Sequence, residues 1–127
     1  MILKGRKISK GEAQGYVLRI DALSFLGGVD LKGKIIDEKN SGFGKNIQGK
    51  ILVFPHGKGS TVGSYVLYGL KRRGFAPKAI VNEESEPIVA VGAIISEIPM
   101  VDKIDISKLK EEDKILVDAD EALVERL

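Results

Sequence analysis

The middle of the chain alternates between short apolar runs and apolar positions at helical spacing. Residues 50–55 (KILVFP) form an apolar run that ends at proline, which predicts a buried strand. One apolar stripe then predicts a helix, and its members are Val62, Tyr65, Val66, Gly69 and Leu70. Ser60 or Thr61 is expected to cap this helix by accepting a backbone N–H bond. Gly74 follows the basic last turn as a C-terminal cap.

The same strand–helix order then repeats. Residues 77–82 (PKAIVN) predict the next strand. Pro87 suits the first turn of a second helix, which begins at Ser85 or Glu86. Pro99 marks the end of that helix. The apolar residues that it carries are Ile88, Val91, Ile94 and Ile95.

The flanking segments predict further strands and turns. We expect strands at 12–20, 34–37, 114–118 and 122–124 and loops at 24–30 and 41–46. The last two strands form a C-terminal hairpin. A length of 127 residues suits one domain. The prediction is therefore a single α/β domain, residues 1–127, in which β-hairpins flank a β–α–β–α core.

Composition narrows the class of protein. The chain has no cysteine, so it cannot form disulfides or a cysteine-ligated metal site by itself. No stretch approaches the roughly 20 apolar residues of a membrane span, and residues 1–12 lack the apolar run of a signal peptide. We expect a soluble cytoplasmic protein that binds no metal of its own.

Charge is distributed unevenly along the chain. Residues 1–80 hold 15 Lys and Arg against 5 Asp and Glu, whereas residues 81–127 hold 5 against 13. Two solvated faces of one domain would explain this. A basic face that attracts an anionic ligand or partner is the alternative explanation. Basic residues without interleaved aromatic residues do not favour nucleic acid as a partner.

The segment Gly57-Lys58-Gly59-Ser60-Thr61 joins the first predicted strand to its helix. A glycine loop leaves backbone N–H groups free at a helix N-terminus, where the dipole adds about half a positive charge. Such a site attracts phosphate or carboxylate. The residue order does not match the ATP-binding pattern G-x-x-x-x-G-K-[ST]. A capped helix with a flexible loop, and no ligand, remains an alternative.

Ser60 is a candidate general base only if positive charge activates it. A helix N-terminus contributes about 0.3–1 kcal/mol, and up to about 2 in partly buried sites. At about 1.36 kcal/mol per pKa unit, this lowers a hydroxyl pKa by about 1.5 at most, too little to ionise serine near neutral pH. Lys58 helps, but further charge is needed, so we expect a partner subunit. His56, the only histidine, is expected to be a solvated loop residue.

Five segments, taken in order, carry a family resemblance. They are residues 24–30 (SFLGGVD), 33–37 (GKIID), 57–61 (GKGST), 76–82 (APKAIVN) and 97–102 (EIPMVD). Together they resemble the small subunit of aconitase X-type dehydratases. The resemblance implies the swivelling β/β/α fold found as the mobile domain of aconitase. It also implies a large subunit that holds an iron–sulfur cluster, expected to be [4Fe-4S], through its own cysteines.

The resemblance further implies a hydro-lyase reaction and roles for named residues. Ser60 matches the family's proton acceptor, and Lys58, Gly59, Thr61, Gly27 and Gly28 are expected to bind an anionic substrate. The chain most resembles the archaeal branch that converts 5-phosphomevalonate to trans-anhydromevalonate 5-phosphate.

Two departures from relatives bear on the substrate. Val62 follows Thr61 where aconitase itself has an arginine, so any substrate-binding arginine comes from elsewhere. Residues 38–41 (EKNS) replace a basic stretch of bacterial relatives, which disfavours a hydroxyproline-type substrate. Another hydroxy acid, a non-catalytic anion-binding module and a structural adaptor remain alternatives.

Overall fold

Eight strands form one mixed sheet in the order β1-β8-β7-β3-β4-β5-β6-β2. The computed structural model describes all 127 residues. The strands are β1 Ile2–Lys4, β2 Arg6–Ser9, β3 Glu12–Arg19, β4 Ile51–Phe54, β5 Ala79–Asn82, β6 Met100–Asp102, β7 Lys114–Asp118 and β8 Leu123–Arg126. The four central strands, β3 to β6, pair in parallel, and all other pairs are antiparallel.

Helices connect the parallel strands. Helix α2 (Gly63–Arg73) joins β4 to β5, and α3 (Pro87–Ile95) joins β5 to β6. A short turn, α1 (Phe25–Gly28), follows β3, but Leu26 and Gly27 inside it have non-helical dihedral angles. A 3-10 turn spans Ile106–Lys108. Parallel pairing needs such crossovers, and it brings the carboxyl ends of β3, β4 and β5 to one edge of the sheet.

The two outer strands of the sheet are consecutive in the chain. Only Gly5 separates β1, which pairs with β8, from β2, which pairs with β6. The sheet therefore closes nearly into a ring. A Cβ atom on Gly5 would overlap the carbonyl oxygen of Asp102 and lie 2.8 Å from Cδ1 of Ile104. Glycine is required where the ring closes because no side chain fits there.

Each side of the sheet has its own apolar core. Thirteen buried residues fill the inside of the ring, with side chains from β3 to β8 such as Val17, Val81 and Val117. Sixteen buried residues lie between the sheet and the helices, among them Phe54, Leu67 and Val89. The expected α/β class with a β/β/α arrangement is confirmed.

Most predicted elements are present, with two kinds of difference. The strand expected at 34–37 is reduced to isolated bridges, Val29 with Ile35 and Lys34 with Asn46. The strands β1, β2 and β6 were not predicted from the sequence. Each has only three or four residues, and pairing across the sheet rather than local pattern defines it.

The predicted apolar stripe of α2 was wrong at Val62 and Tyr65, but Leu70 is buried as expected and Val66 packs against the core. The buried residues of this helix are Gly63, Ser64, Leu67 and Leu70, whereas the side chain of Tyr65 is 72% exposed. Val62 is 46% exposed. Small residues face the sheet and α3 because the helices pack closely: a Cβ on Gly92 would lie 3.1 Å from Cδ2 of Leu67. In α3, Val91, Ile94 and Ile95 are likewise exposed.

Candidate active site

The segment 57–61 leaves β4 at the carboxyl edge of the parallel strands and leads into α2. Its first half is fixed to the chain that follows β3. Gly57 forms a parallel bridge with Leu23, in which the N–H of Lys58 donates to the carbonyl of Leu23 at 3.0 Å. A Cβ on Gly57 would lie 2.5 Å from Cγ2 of Val89, so glycine lets the loop lie against α3.

Gly59 reverses the chain just before Ser60. Its φ is +97°, a conformation that favours glycine because other residues are strained there. A Cβ on Gly59 would also overlap the hydroxyl of Ser24 and lie 3.0 Å from Cβ of Ser24. Both glycines of the sequence motif are therefore explained by the backbone and its close contacts.

Ser60 lies at the surface of this loop, half-buried. Its hydroxyl oxygen accepts the N–H of Val62 at 3.1 Å, and its carbonyl accepts the N–H of Gly63 at 3.0 Å. Helix α2 has Val62 at its N-cap position and no side-chain cap. The prediction that Ser60 or Thr61 caps the helix was wrong in detail, because the bond of Ser60 closes a turn that precedes the helix.

The N-terminus of α2 is open to a ligand. The N–H groups of Gly59, Ser60 and Thr61 have no hydrogen-bond partner within the chain. Lys58 and Thr61 are exposed, and Lys58 forms no ion pair. Free backbone donors, a helix dipole and an ammonium group together favour an anion. Lys58, Gly59, Ser60 and Thr61 thus lie together as the sequence predicted, although their binding role remains a prediction.

The other two predicted residues, Gly27 and Gly28, lie on the adjacent turn. Gly27 is exposed with φ +81°, and a Cβ there would meet no atom within 4 Å. Gly28 is buried, and its carbonyl accepts the N–H of Ile36 at 2.9 Å. This turn approaches α2 at Phe25: a Cβ added to Gly63 would lie 3.8 Å from the Cβ of Phe25. Gly27 can face a ligand, whereas Gly28 is buried; the binding role expected of both remains a prediction.

His56 and Glu86 occupy the borders of the loop. The ring Nδ1 of His56 lies 2.8 Å from the carbonyl oxygen of Gly57, and the residue is exposed. The carboxylate of Glu86 accepts the N–H of Val89 at 2.9 Å. Glu86 is therefore the N-cap of α3, as the sequence suggested for the start of that helix.

Two features of this edge had no signal in the sequence. Ser24 contacts Gly59, although the two are far apart in the chain. A polar cavity of about 410 Å³ lies beside Pro55 and is lined by Arg19, Asp21, Glu83 and Lys110 among others. Ser60 does not line it. Only the tertiary fold brings these residues together, so no local spacing could have indicated them.

The uneven charge along the chain is largely compensated by the fold. Four ion pairs join a cation of residues 1–80 to an acid of residues 81–127: Arg6–Asp102, Lys7–Asp120, Lys45–Glu111 and Lys50–Glu112. No group of three or more His, Cys, Asp or Glu side chains is arranged to hold a metal ion. No helix is long and apolar enough to span a membrane.

The fold and the serine loop define a swivel-type α/β domain. The family model described as "Aconitase X swivel domain" matches residues 2–126. The chain therefore belongs to the aconitase X swivel domain family, and the resemblance seen in the sequence is confirmed.

Individual relatives agree with this assignment. The chain is 55% identical to the phosphomevalonate dehydratase small subunit of Methanocaldococcus jannaschii, over 100% of this chain and 98% of the relative. It is 59% identical to the protein of the same name from Thermococcus kodakarensis, over 100% and 97%. A crystal structure of Thermococcus kodakaraensis aconitase X in its holo form superposes with a TM-score of 0.97 at 56% identity, covering 100% and 98% of the two chains.

Proposed function

We propose that this chain is the small subunit of a heteromeric hydro-lyase that dehydrates 5-phosphomevalonate to trans-anhydromevalonate 5-phosphate. The relatives that carry this name match nearly the whole chain at 55–59% identity. The observation that carries the proposal is the half-buried hydroxyl of Ser60 on an open helix N-terminus. A non-catalytic adaptor would not need unpartnered backbone donors around that hydroxyl.

In this proposal Ser60 accepts the proton that the substrate loses. A C–H bond next to the leaving hydroxyl breaks, its electron pair forms the new double bond, and hydroxide departs. The proton moves to the oxygen of Ser60, which must be ionised beforehand. The Val62 N–H that donates to this oxygen stabilises its charged form, as does the helix dipole.

Lys58 and the free N–H groups of Gly59, Ser60 and Thr61 would bind an anionic group of the substrate. 5-Phosphomevalonate carries a carboxylate and a phosphate. One helix N-terminus and one ammonium suit a single anionic group. The second group is then bound by residues of the partner.

The cluster would be held by the partner, because this chain has no cysteine and no group of metal-ligating side chains. Iron of such a cluster supplies Lewis-acid assistance to the leaving hydroxyl. A partner that covers Ser60 is supported by exposed apolar side chains on the neighbouring segments: Leu26 is 47%, Val62 46% and Tyr65 72% exposed. Aromatic and apolar residues of this kind are common in the centre of protein interfaces.

The test is reconstitution with the large aconitase-like subunit of the same source. We expect the mixture, and neither subunit alone, to dehydrate 5-phosphomevalonate. Ser60→Ala should lower kcat by about 10²–10⁴-fold, the usual contribution of a general base. Ser107→Ala is the matched control, because Ser107 is exposed and bonds only locally to Asp105.

Two results would contradict the proposal. Near-normal turnover by the Ser60→Ala complex would remove Ser60 from the mechanism. Failure of the wild-type complex to dehydrate 5-phosphomevalonate, with turnover of another hydroxy acid, would reject the substrate.

A further inference from the structure

We propose that Ser24 is a positioning residue that sets the place of Ser60 by holding Gly59. The proposal rests on the proposed function of Ser60 and adds a second serine to the same site. Ser24 follows Leu23, the residue that bridges to Gly57, so the two segments run side by side at this point.

The contact between Ser24 and Gly59 leaves no free space. An added Cβ on Gly59 would overlap the hydroxyl of Ser24 and lie 3.0 Å from its Cβ. The Ser24 hydroxyl donates to the carbonyl of Leu26 at 2.9 Å, which fixes its rotamer. The side chain thus forms a fixed stop against the backbone that immediately precedes Ser60.

The rest of the loop has few other restraints. Backbone hydrogen bonds to the Leu23 segment hold the loop as far as Lys58, and the next anchors are the bonds of Ser60 to Val62 and Gly63. Between them, the N–H groups of Gly59, Ser60 and Thr61 are unpaired. Because Gly59 also has a positive φ, a small rotation there moves Ser60 directly. Ser24 is the side chain that limits this rotation.

The consequence should be larger in the chemical step than in substrate binding, because Lys58 keeps its place while Ser60 moves. A base must come within about 2.6–3.2 Å of the proton that it accepts. A displacement of about 1 Å can cost about 10²-fold in rate. Ser24 itself does not need to contact the substrate, and Lys58, which precedes Gly59 and is held by its bond to Leu23, remains in place without it.

The experiment compares Ser24→Ala, Ser24→Thr and Ser24→Val in the reconstituted complex. Thr and Val are nearly isosteric, so they differ mainly in the hydroxyl that bonds to Leu26. We expect Ser24→Ala to lower kcat by about 10- to 100-fold, with a smaller rise in KM. Ser24→Thr should keep a higher kcat than Ser24→Val. Ser107→Ala is again the control.

The primary deuterium isotope effect on kcat separates positioning from a loss of folded protein. With substrate deuterated at the carbon that loses the proton, the effect should rise in Ser24→Ala, because proton transfer becomes more rate-limiting. A fall in the amount of folded complex would leave it unchanged. In the same variant, amide exchange of Val62, measured by NMR on the full chain, should become faster than in Ser107→Ala.

The outcomes distinguish this inference from the proposed function. If Ser60→Ala abolishes activity while Ser24→Ala keeps the wild-type kcat and isotope effect, the role of Ser24 is overturned and the function stands. If the wild-type complex has no dehydratase activity, the function is rejected, and the exchange measurement alone decides whether Ser24 fixes the loop. Unchanged exchange at Val62 would overturn the inference in that case.

Discussion

Helices α2 and α3 begin at the same edge of the sheet, but their N-termini differ. In α3 the Glu86 carboxylate accepts the N–H of Val89, and Pro87 in the first turn has no N–H to satisfy. In α2 the N-cap residue is Val62, no side chain caps the helix, and the three N–H groups before it are unpaired. The N-terminus of α3 is thus capped by its own side chain, whereas the N-terminus of α2 is uncapped.

This difference agrees with the proposal that the N-terminus of α2 binds the substrate, while that of α3 stabilises the fold. A side-chain cap contributes about 0.5–2 kcal/mol to stability, and α2 does not use one. Backbone donors without a partner are available for an anion. We therefore expect substitutions at α2 to change catalysis and binding, and substitutions at α3 to change stability.

The largest effect is expected from closing the N-terminus of α2 with Ser60→Asp. A carboxylate there can accept the N–H of Val62 and interact with the helix dipole, raising the free energy of unfolding by about 0.3–1 kcal/mol. It would also repel an anionic substrate, so kcat/KM should fall at least about 100-fold. Denaturant unfolding of the chain and turnover of the complex measure the two effects. Loss of stability together with retained activity would contradict the distinction between the N-termini of α2 and α3.

A large effect on stability is expected from changing Asp102, the last residue of β6, whose carboxylate bonds to Arg6 of β2 and to the segment before α3. Burial raises the pKa of the Asp102 carboxyl, but hydrogen bonds from Arg6 and from the N–H of Ser85 outweigh it, so the pKa lies below its usual value. The interactions of the charged carboxylate therefore stabilise the folded state at any pH above its pKa in the unfolded chain, about 3.9. This stabilisation is lost as the pH falls through the lower pKa of the folded state.

Asp102→Asn should therefore reduce the free energy of unfolding at pH 7 by about 1.5–3 kcal/mol, the range for hydrogen bonds to charged groups. The difference from wild type should shrink as the pH falls below about 3.9. Unfolding curves between neutral and acid pH test this. A difference that stays constant with pH would show that the charge of Asp102 is not the cause.

A moderate effect on binding is expected at the α2 loop from Lys58→Ala. Losing one ammonium beside the free N–H groups should raise KM about tenfold, which corresponds to about 1.4 kcal/mol. Lys58→Arg should recover most of it, because the charge is kept. Lys4→Ala is the control, since Lys4 lies on β1, four strands away from β4. Equal KM values for Lys58→Ala and Lys4→Ala would exclude Lys58 from substrate binding.

The smallest effect is expected from removing the N-cap of α3 with Glu86→Ala. Removal of the cap should lower the free energy of unfolding by about 1 kcal/mol. The kcat and KM of the complex should change less than in Lys58→Ala. Glu38→Ala, in an exposed turn, serves as the control for unfolding. A larger loss of activity than in Lys58→Ala would show that both termini serve catalysis.

The sequence predicted the parallel core well because each part has a local cause. The apolar run of β4, the cap at Gly74 and the start of α3 at Glu86 all follow from neighbouring residues. The family resemblance, confirmed over residues 2–126, drew attention to the serine loop because the loop is one of the segments that carry it. The roles of the six predicted site residues remain predictions: Ser60, Lys58, Gly59, Thr61, Gly27 and Gly28.

Other features depended on contacts between distant parts of the chain. Tyr65 belongs to an apolar stripe by spacing, yet Ser64 and Gly92 pack closely and leave the tyrosine outside. The strand β6 has three residues, and its pairing with β2 and β5 defines it. Ser24 and Gly59 are brought together only because Leu23 pairs with Gly57.

The closed ring also affects when the protein can finish folding during its synthesis. Residues 2–4 are made well before residues 123–125 of β8, with which they pair. Such long sequence separation slows folding because the entropy of closing a long loop is lost before the contact forms. Strand β1 must therefore wait unpaired until residues 123–125 have emerged. Until then the edge of β7 that β8 will cover stays available to other chains, so a nascent chain stalled before residue 123 should be prone to aggregation.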